Sequence, residues 1–136
     1  MSVANAMGSA LYSKLTGGTA LVALLANGTA IYRTQAPDQS PLPYVVFSVY
    51  SGGPLNITGS DMREEVYFVR GYASLPAVAG SIDLQISALL HKGTVSVSGY
   101  NNYLSVREMD LELVENPPNG EKVFMSGGLY RISLDD

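Results

Sequence analysis

The stretch SPLPYVVFSVYSGG, residues 40–53, limits the fold more than any other part of the chain. Pro41 and Pro43 force an extended entry, because each ring fixes its own φ and biases the preceding residue away from the helical region. The residues after Pro43 are β-branched and aromatic, and apolar on both sides: Val45, Phe47 and Val49 point one way, Tyr44, Val46 and Tyr50 the other. A strand with one solvated face alternates apolar and polar residues. This strand needs cover on both faces, and a chain of 136 residues has little material to supply it.

Helical cover for one face is readable at two places. Val3, Met7, Leu11 and Leu15 form an i, i+4 series, and Val78, Ile82, Ile86 and Leu89 form a second stripe that opens after Pro76 and closes in LLHKG. Between the two series, Thr19 is the expected N-cap of a short helix running through Leu25. TAIYRT reads as a brief strand and EEVYFVRGYAS, 64–74, as a full one, while SGGPLNITGSDMR, 51–63, reads as a long loop. Beyond the last helix, TVSVSGY, YLSVREMDLELVE and KVFMSGGLYRISL read as three strands, separated by an Asn-rich turn at 101–102 and by the polar turn NPPNGE. The Gly127–Gly128 pair predicts a bulge or kink in the last strand. The order predicts a single α+β domain over 1–136, a mostly antiparallel sheet with helices packed on one face.

Composition narrows the chemistry. Eight basic against twelve acidic residues give a net charge of −4, with no Lys/Arg cluster to grip phosphates, so sequence-reading of duplex DNA is not expected. The absence of cysteine removes disulfides, thiolate metal sites and cysteine nucleophiles. The N-terminal residues lack the basic start and apolar run of a signal peptide, and ALVALLA, 20–26, is too short to span a membrane. No phosphate-binding, metalloprotease or serine-hydrolase motif occurs, so no cofactor and no catalytic residue is expected. His91, the single histidine, falls in a helix's last turn, where a cation complements the dipole and caps free carbonyls. Glu108, Asp110 and Glu112 alternate on one strand; they can hold a divalent cation, or they form a polar face with Met109, Leu111 and Leu113 turned to the core. Nine tyrosines against three phenylalanines suit surfaces buried only on assembly, as they also suit ordinary strands.

The segments ALYSKL, LVALLANGTAIY, LPYVVFSVYS, EVYFVRGYAS, SIDLQISALLH and LELVENPPNGEKVFMSGGLYRISL, in this order and over essentially the whole chain, resemble the tail terminator, or tail-completion, proteins of long-tailed bacteriophages and gene transfer agents. The resemblance implies a non-enzymatic structural role: a homo-oligomeric ring, hexameric in the family, on the head-proximal end of the tail tube. Such a ring ends tube polymerisation, meets the head–tail connector or stopper protein, and lets DNA pass without specific binding. It also implies location in the virion after assembly in the bacterial cytoplasm, with no membrane partner. Within that frame, Leu55 and Ile57 are expected anchors of a loop that reaches a neighbour or the tube. Asp61, Arg63, Tyr44 and Tyr50, and Asn116 and Asn119 of the hairpin tip, are the other candidate interface residues. Glu108, Asp110 and Glu112, or Asp61, Glu64 and Glu65, are candidates to line the lumen, where carboxylates repel DNA. The second face of the strand at 44–50 is covered either by a neighbouring subunit or by the chain's own second helix. A neck connector or stopper, a small metal- or ligand-binding enzyme, and a toxin- or immunity-type binding module are the rival functions.

Overall fold

Ser2 starts the first helix by accepting the Asn5 amide proton on its hydroxyl, 3.1 Å away, which satisfies one of the free N–H groups of the first turn. The computed structural model describes residues 2–55, 62–115 and 122–135. Helix α1 (Val3–Thr16) buries Met7, Leu11 and Leu15 completely, the i, i+4 stripe of the sequence. Helix α2 (Thr19–Val22) is a single turn, capped by the Gly18 backbone and not by Thr19, and it ends before Leu25. Pro76 opens α3 (Pro76–Leu90), whose buried line is Ala79, Ile82, Ile86 and Leu90.

The strands are β1 (Ile31–Arg33), β2 (Tyr44–Pro54), β3 (Arg63–Ala73), β4 (Asn101–Glu115) and β5 (Val123–Asp135). They form one sheet in the order β1-β2-β3-β5-β4, with β1 parallel to β2 and every other pair antiparallel. The helices lie on one face, where Val45, Phe47, Tyr67, Val69, Tyr130, Ile132 and Leu134 meet α1 and α3 in the main core. The α+β class and the one-sided helices are therefore as the sequence reading has them.

Several local expectations are corrected. Residues 51–54 continue β2, paired with 63–66 of β3, so the expected loop at 51–63 begins later. TVSVSGY is not a strand: Val95 and Val97 alternate into the core, but the Val95 amide donates to the Asn102 side chain at 2.8 Å and not to the backbone of a strand. Asn101 and Asn102 belong to β4, not to a turn. Gly127 and Gly128 carry no bulge; the register shifts lie in β2 at Val49/Ser51 and in β4 at Asn102/Leu104 and Arg107/Met109. A β-carbon on Gly127 would instead meet the β3 backbone at Val69 and Arg70, and one on Gly128 would meet the Arg107 guanidinium.

The register also fixes what each end of the sheet presents. Arg63 pairs with Leu134 and Asn101 with Asp135 at one end; Tyr44 pairs with Tyr72 and Glu115 with Val123 at the other. The β2–β3 connection and the β4–β5 connection therefore leave from opposite ends of the sheet.

Candidate functional site: a polar seam under α3 and an open sheet face

Arg107 is the centre of the polar chemistry. From β4 its side chain enters the gap beneath α3, where Nη1 and Nη2 donate to Asp83 Oδ1 and Oδ2 at 2.8 and 2.9 Å. Nη1 also donates to the Tyr130 hydroxyl at 2.8 Å, Nη2 to the Gly127 carbonyl at 3.0 Å, and Nε to Asp110. All five N–H groups of the guanidinium are thereby used. Ser126 adds a 3.2 Å bond to Asp83 Oδ2, so both carboxylate oxygens are held. The hydrogen bonds to Asp83 hold the Arg107 guanidinium's pKa well above its ordinary value, against burial, which pulls the other way. The adjoining cleft, about 700 Å³, is lined by Gly80, Asp83, Leu84, Ser87, Arg107 and Glu112 among others, and its one guanidinium has no donor left for a ligand. Its chemistry is that of a clamp between α3 and the β4–β5 pair.

The carboxylate stripe of β4 does not exist as one face. The register shift at Arg107/Met109 makes Glu108 the extra residue, and its carboxylate turns to Arg131 Nε, 2.6 Å away on the face without helices. Asp110 turns to Arg107 on the helix side, and Glu112, opposite Ser126, shares that side. Two of the three carboxylates thus sit on arginines and on opposite faces. Among the described residues no group of three His, Cys, Asp or Glu side chains gathers where a cation could be held. The same shift reverses the expected apolar partners: Met109 and Leu113 are exposed on the open face instead of entering the core. His91 is also corrected. It stands at the end of α3, but its Nδ1 accepts the Arg107 amide proton at 3.0 Å, so the ring secures β4 and does not cap carbonyls as a cation.

The second face of β2 is covered, over its first half, by the chain itself. Val46, Tyr72 and Met125 are buried there, with Tyr32, Ala36, Leu42, Tyr44 and Phe68 packed around them. The cover is the segment between β1 and β2, not α2. The rings of Tyr32, Tyr44 and Tyr72 form a chain with centroids 5.9 and 5.2 Å apart. Arg70 lies beside them, its guanidinium 4.6 Å above the Phe68 ring and its Nη2 donating to Ser48 Oγ at 3.1 Å. Farther along this face, Leu104, Met109 and Leu113 are exposed.

Burial raises the pKa of Tyr44, Tyr67, Tyr72 and Tyr130 above 10, in each case as the leading cause. The unfolded chain ionises these hydroxyls near pH 10, so above that value it has released protons that the folded chain still holds. Stability from these groups is complete below about pH 10 and falls as pH rises past it. Alkaline titration is expected to show the buried tyrosinates appearing together with loss of ellipticity. Full ionisation near pH 10 with the helices intact would contradict this account.

The structure scatters the remaining candidate residues. Tyr44 is half-buried inside the aromatic chain, which leaves its ring only in part available to a neighbour. Tyr50 is 67% exposed and Leu55 37%, at the β2–β3 end of the sheet. Arg63 pairs with the buried Glu65 at 2.9 Å, and Glu64 lies 3.5 Å from Arg131. Ile57, Asp61, Asn116 and Asn119 lie outside the described residues. Sequence reasoning missed Arg107, Asp83 and Tyr130; 24 and 23 residues separate Arg107 from the other two, and no local motif joins them.

No family model matches the sequence, and no curated protein matches it. Among solved structures, the fold is similar to that of a chain in the virion of a native gene transfer agent particle, with a TM-score of 0.74 at 18% identity over 99% of this chain and 98% of that one.

Proposed function

We propose that this chain is a structural protein of a phage tail or gene-transfer-agent particle, acting as the tail terminator: a ring at the head-proximal end of the tube that ends polymerisation and joins the connector. The observation that carries the proposal is the end-to-end likeness to a virion chain, which leaves almost no part of either fold without a counterpart. The open face of exposed Leu104, Met109 and Leu113 agrees with subunit contacts. A subunit between a tube and a connector needs one contact surface at each end. The β2–β3 end, with Tyr50 and Leu55, and the β4–β5 end supply such a pair.

The net charge of −4 suits a channel that passes DNA without gripping it. In such a ring Asp110 and Glu112 project from one face of the sheet and Glu108 from the other, so the three do not line one channel wall together.

Electron microscopy of particles made with the gene disrupted tests the proposal. DNA-filled heads beside unjoined tails, many abnormally long, are the expected result. Tails of normal length that fail to attach would assign the protein to the neck as a connector or stopper. Intact, infectious particles would remove the structural role altogether.

A further inference from the structure

We propose that neighbouring copies in this ring join by strand pairing, with Met109–Glu115 of β4 in one copy running antiparallel to Val49–Pro54 of β2 in the next. Such pairing rests on the ring reading and supplies the surface that closes the ring.

A sheet's outer strands carry unpaired N–H and C=O groups, and folded proteins cover or interrupt them to prevent pairing with other chains. Here each edge is protected over one half. On β4, the Ser105 carbonyl accepts from the Lys92 amide at 2.6 Å and the Arg107 amide donates to His91 Nδ1, so the α3–β4 connection closes the edge up to the bulge. Among the described residues no comparable partner reaches the edge from Met109 to Glu115. On β2, strand β1 pairs with Val45–Phe47 and the Thr34 amide adds a 2.7 Å bond to the Phe47 carbonyl. From Val49 to Pro54 the outer edge of β2 has no described partner.

The two open halves are also apolar where solvent should favour polar residues. Val49 and Tyr50 are 61% and 67% exposed on one, and Met109, Leu113 and Val114 are 52%, 55% and 53% exposed on the other. Strand direction makes them mates. Three successive antiparallel pairings, β2 with β3, β3 with β5 and β5 with β4, leave β2 and β4 pointing opposite ways. Rotation about an axis along the strands preserves those directions, so β4 of one copy meets β2 of the next antiparallel. Charge decides against β4 pairing with itself. That arrangement brings the Asp110 and Glu112 carboxylates of two copies together, and like charges across a ladder destabilise it. The residues Val49–Pro54 carry no charge. Because the open halves sit at opposite ends of the sheet, neighbours are offset along the strands. A closed ring takes up that offset by tilting its strands, as barrels do.

The chain's lack of cysteine makes the test direct. Val49 and Val114 stand opposite Tyr67 and Phe124, so both face the helix side and can meet across the junction. Double variants Val49→Cys/Val114→Cys and Val49→Cys/Glu112→Cys, oxidised in solution and on purified tail tubes, are expected to give covalent multimers up to a closed ring on a denaturing gel. Val49→Cys with Tyr12→Cys, on the exposed side of α1 and away from β4, is expected to stay monomeric. Val114→Lys is expected to keep the melting temperature within about 2 °C, as exposed substitutions do, and to lose rings by native mass spectrometry. Rings that persist in Val114→Lys, with no edge cross-link in either pair, would overturn strand pairing and leave the ring standing. Cross-linked dimers from Val114→Cys alone would replace it with β4–β4 pairing. No ring either in solution or on tubes would remove the ring reading, and this inference with it.

Discussion

Replacing Arg107 with alanine is expected to lower the unfolding free energy by about 3–5 kcal/mol, and Tm by on the order of 10–20 °C. The cost comes from what stays behind. Asp83 has only 16% of its side chain exposed, and without Arg107 its charge is left with the Ser126 hydroxyl as its one described partner. The Tyr130 hydroxyl and the Gly127 carbonyl lose a donor at the same time. Removing the pair as a pair should hurt far less, because similar-sized apolar groups have no charge to desolvate. Arg107→Met with Asp83→Leu is therefore expected to recover most of the stability lost in Arg107→Ala. Urea unfolding of the three proteins measures this. A loss below about 1 kcal/mol in Arg107→Ala would mean the clamp does not hold α3.

Regular elements that answer to local pattern were legible in the sequence. The i, i+4 series of α1 put Met7, Leu11 and Leu15 in the core, and β2 and β3 appeared where β-branched and aromatic residues cluster. The double-sided apolar character of β2 was a true signal that its second face is covered, at least as far as Val46. Periodicity could not identify the cover. Ala36 and Leu42 sit in a loop whose composition reads only as turn, and loop residues declare no face. A single bulge had wider consequences. Strand alternation assumes an unbroken period of two, and one extra residue at Glu108 moves every later side chain to the other face. Hence one added residue turned Met109 and Leu113 from core into open surface and split the carboxylates. TVSVSGY failed in the opposite sense: Val95 and Val97 alternate as a strand would, but the Val95 amide is taken by the Asn102 side chain and not by a strand's backbone. The polar seam was the least legible part. Arg107, Asp83 and Tyr130 meet only after β4, α3 and β5 are stacked, and each reads locally as an ordinary polar position on its element.

The same stacking makes the size of a second large effect depend on context. Ile82 is fully buried on α3, and its Cβ and Cγ2 lie directly over the Cα of Gly71 in β3, where a β-carbon would collide with them. The absence of a side chain at Gly71 is what lets the helix approach the sheet this closely. Ile82→Ala is expected to cost about 2–5 kcal/mol, combining lost apolar burial with a cavity that α3, held at its middle by Asp83, cannot collapse to fill. Gly71→Ala alone is expected to cost about 1–3 kcal/mol, because the new methyl group must push Ile82 and the helix outward. In the Ile82→Ala background that cost shrinks. There the Cγ2 that a Gly71→Ala methyl group would meet first is gone, although the β-carbon at position 82 remains in close contact, and alanine leaves the unfolded chain less conformational freedom than glycine, so Gly71→Ala should cost clearly less than it does in the native chain. A double-mutant cycle by denaturant unfolding reads the coupling directly. Additive losses, with Gly71→Ala costing as much in the Ile82→Ala background as in the native chain, would show that α3 shifts freely on the sheet and that Gly71 is not where it rests.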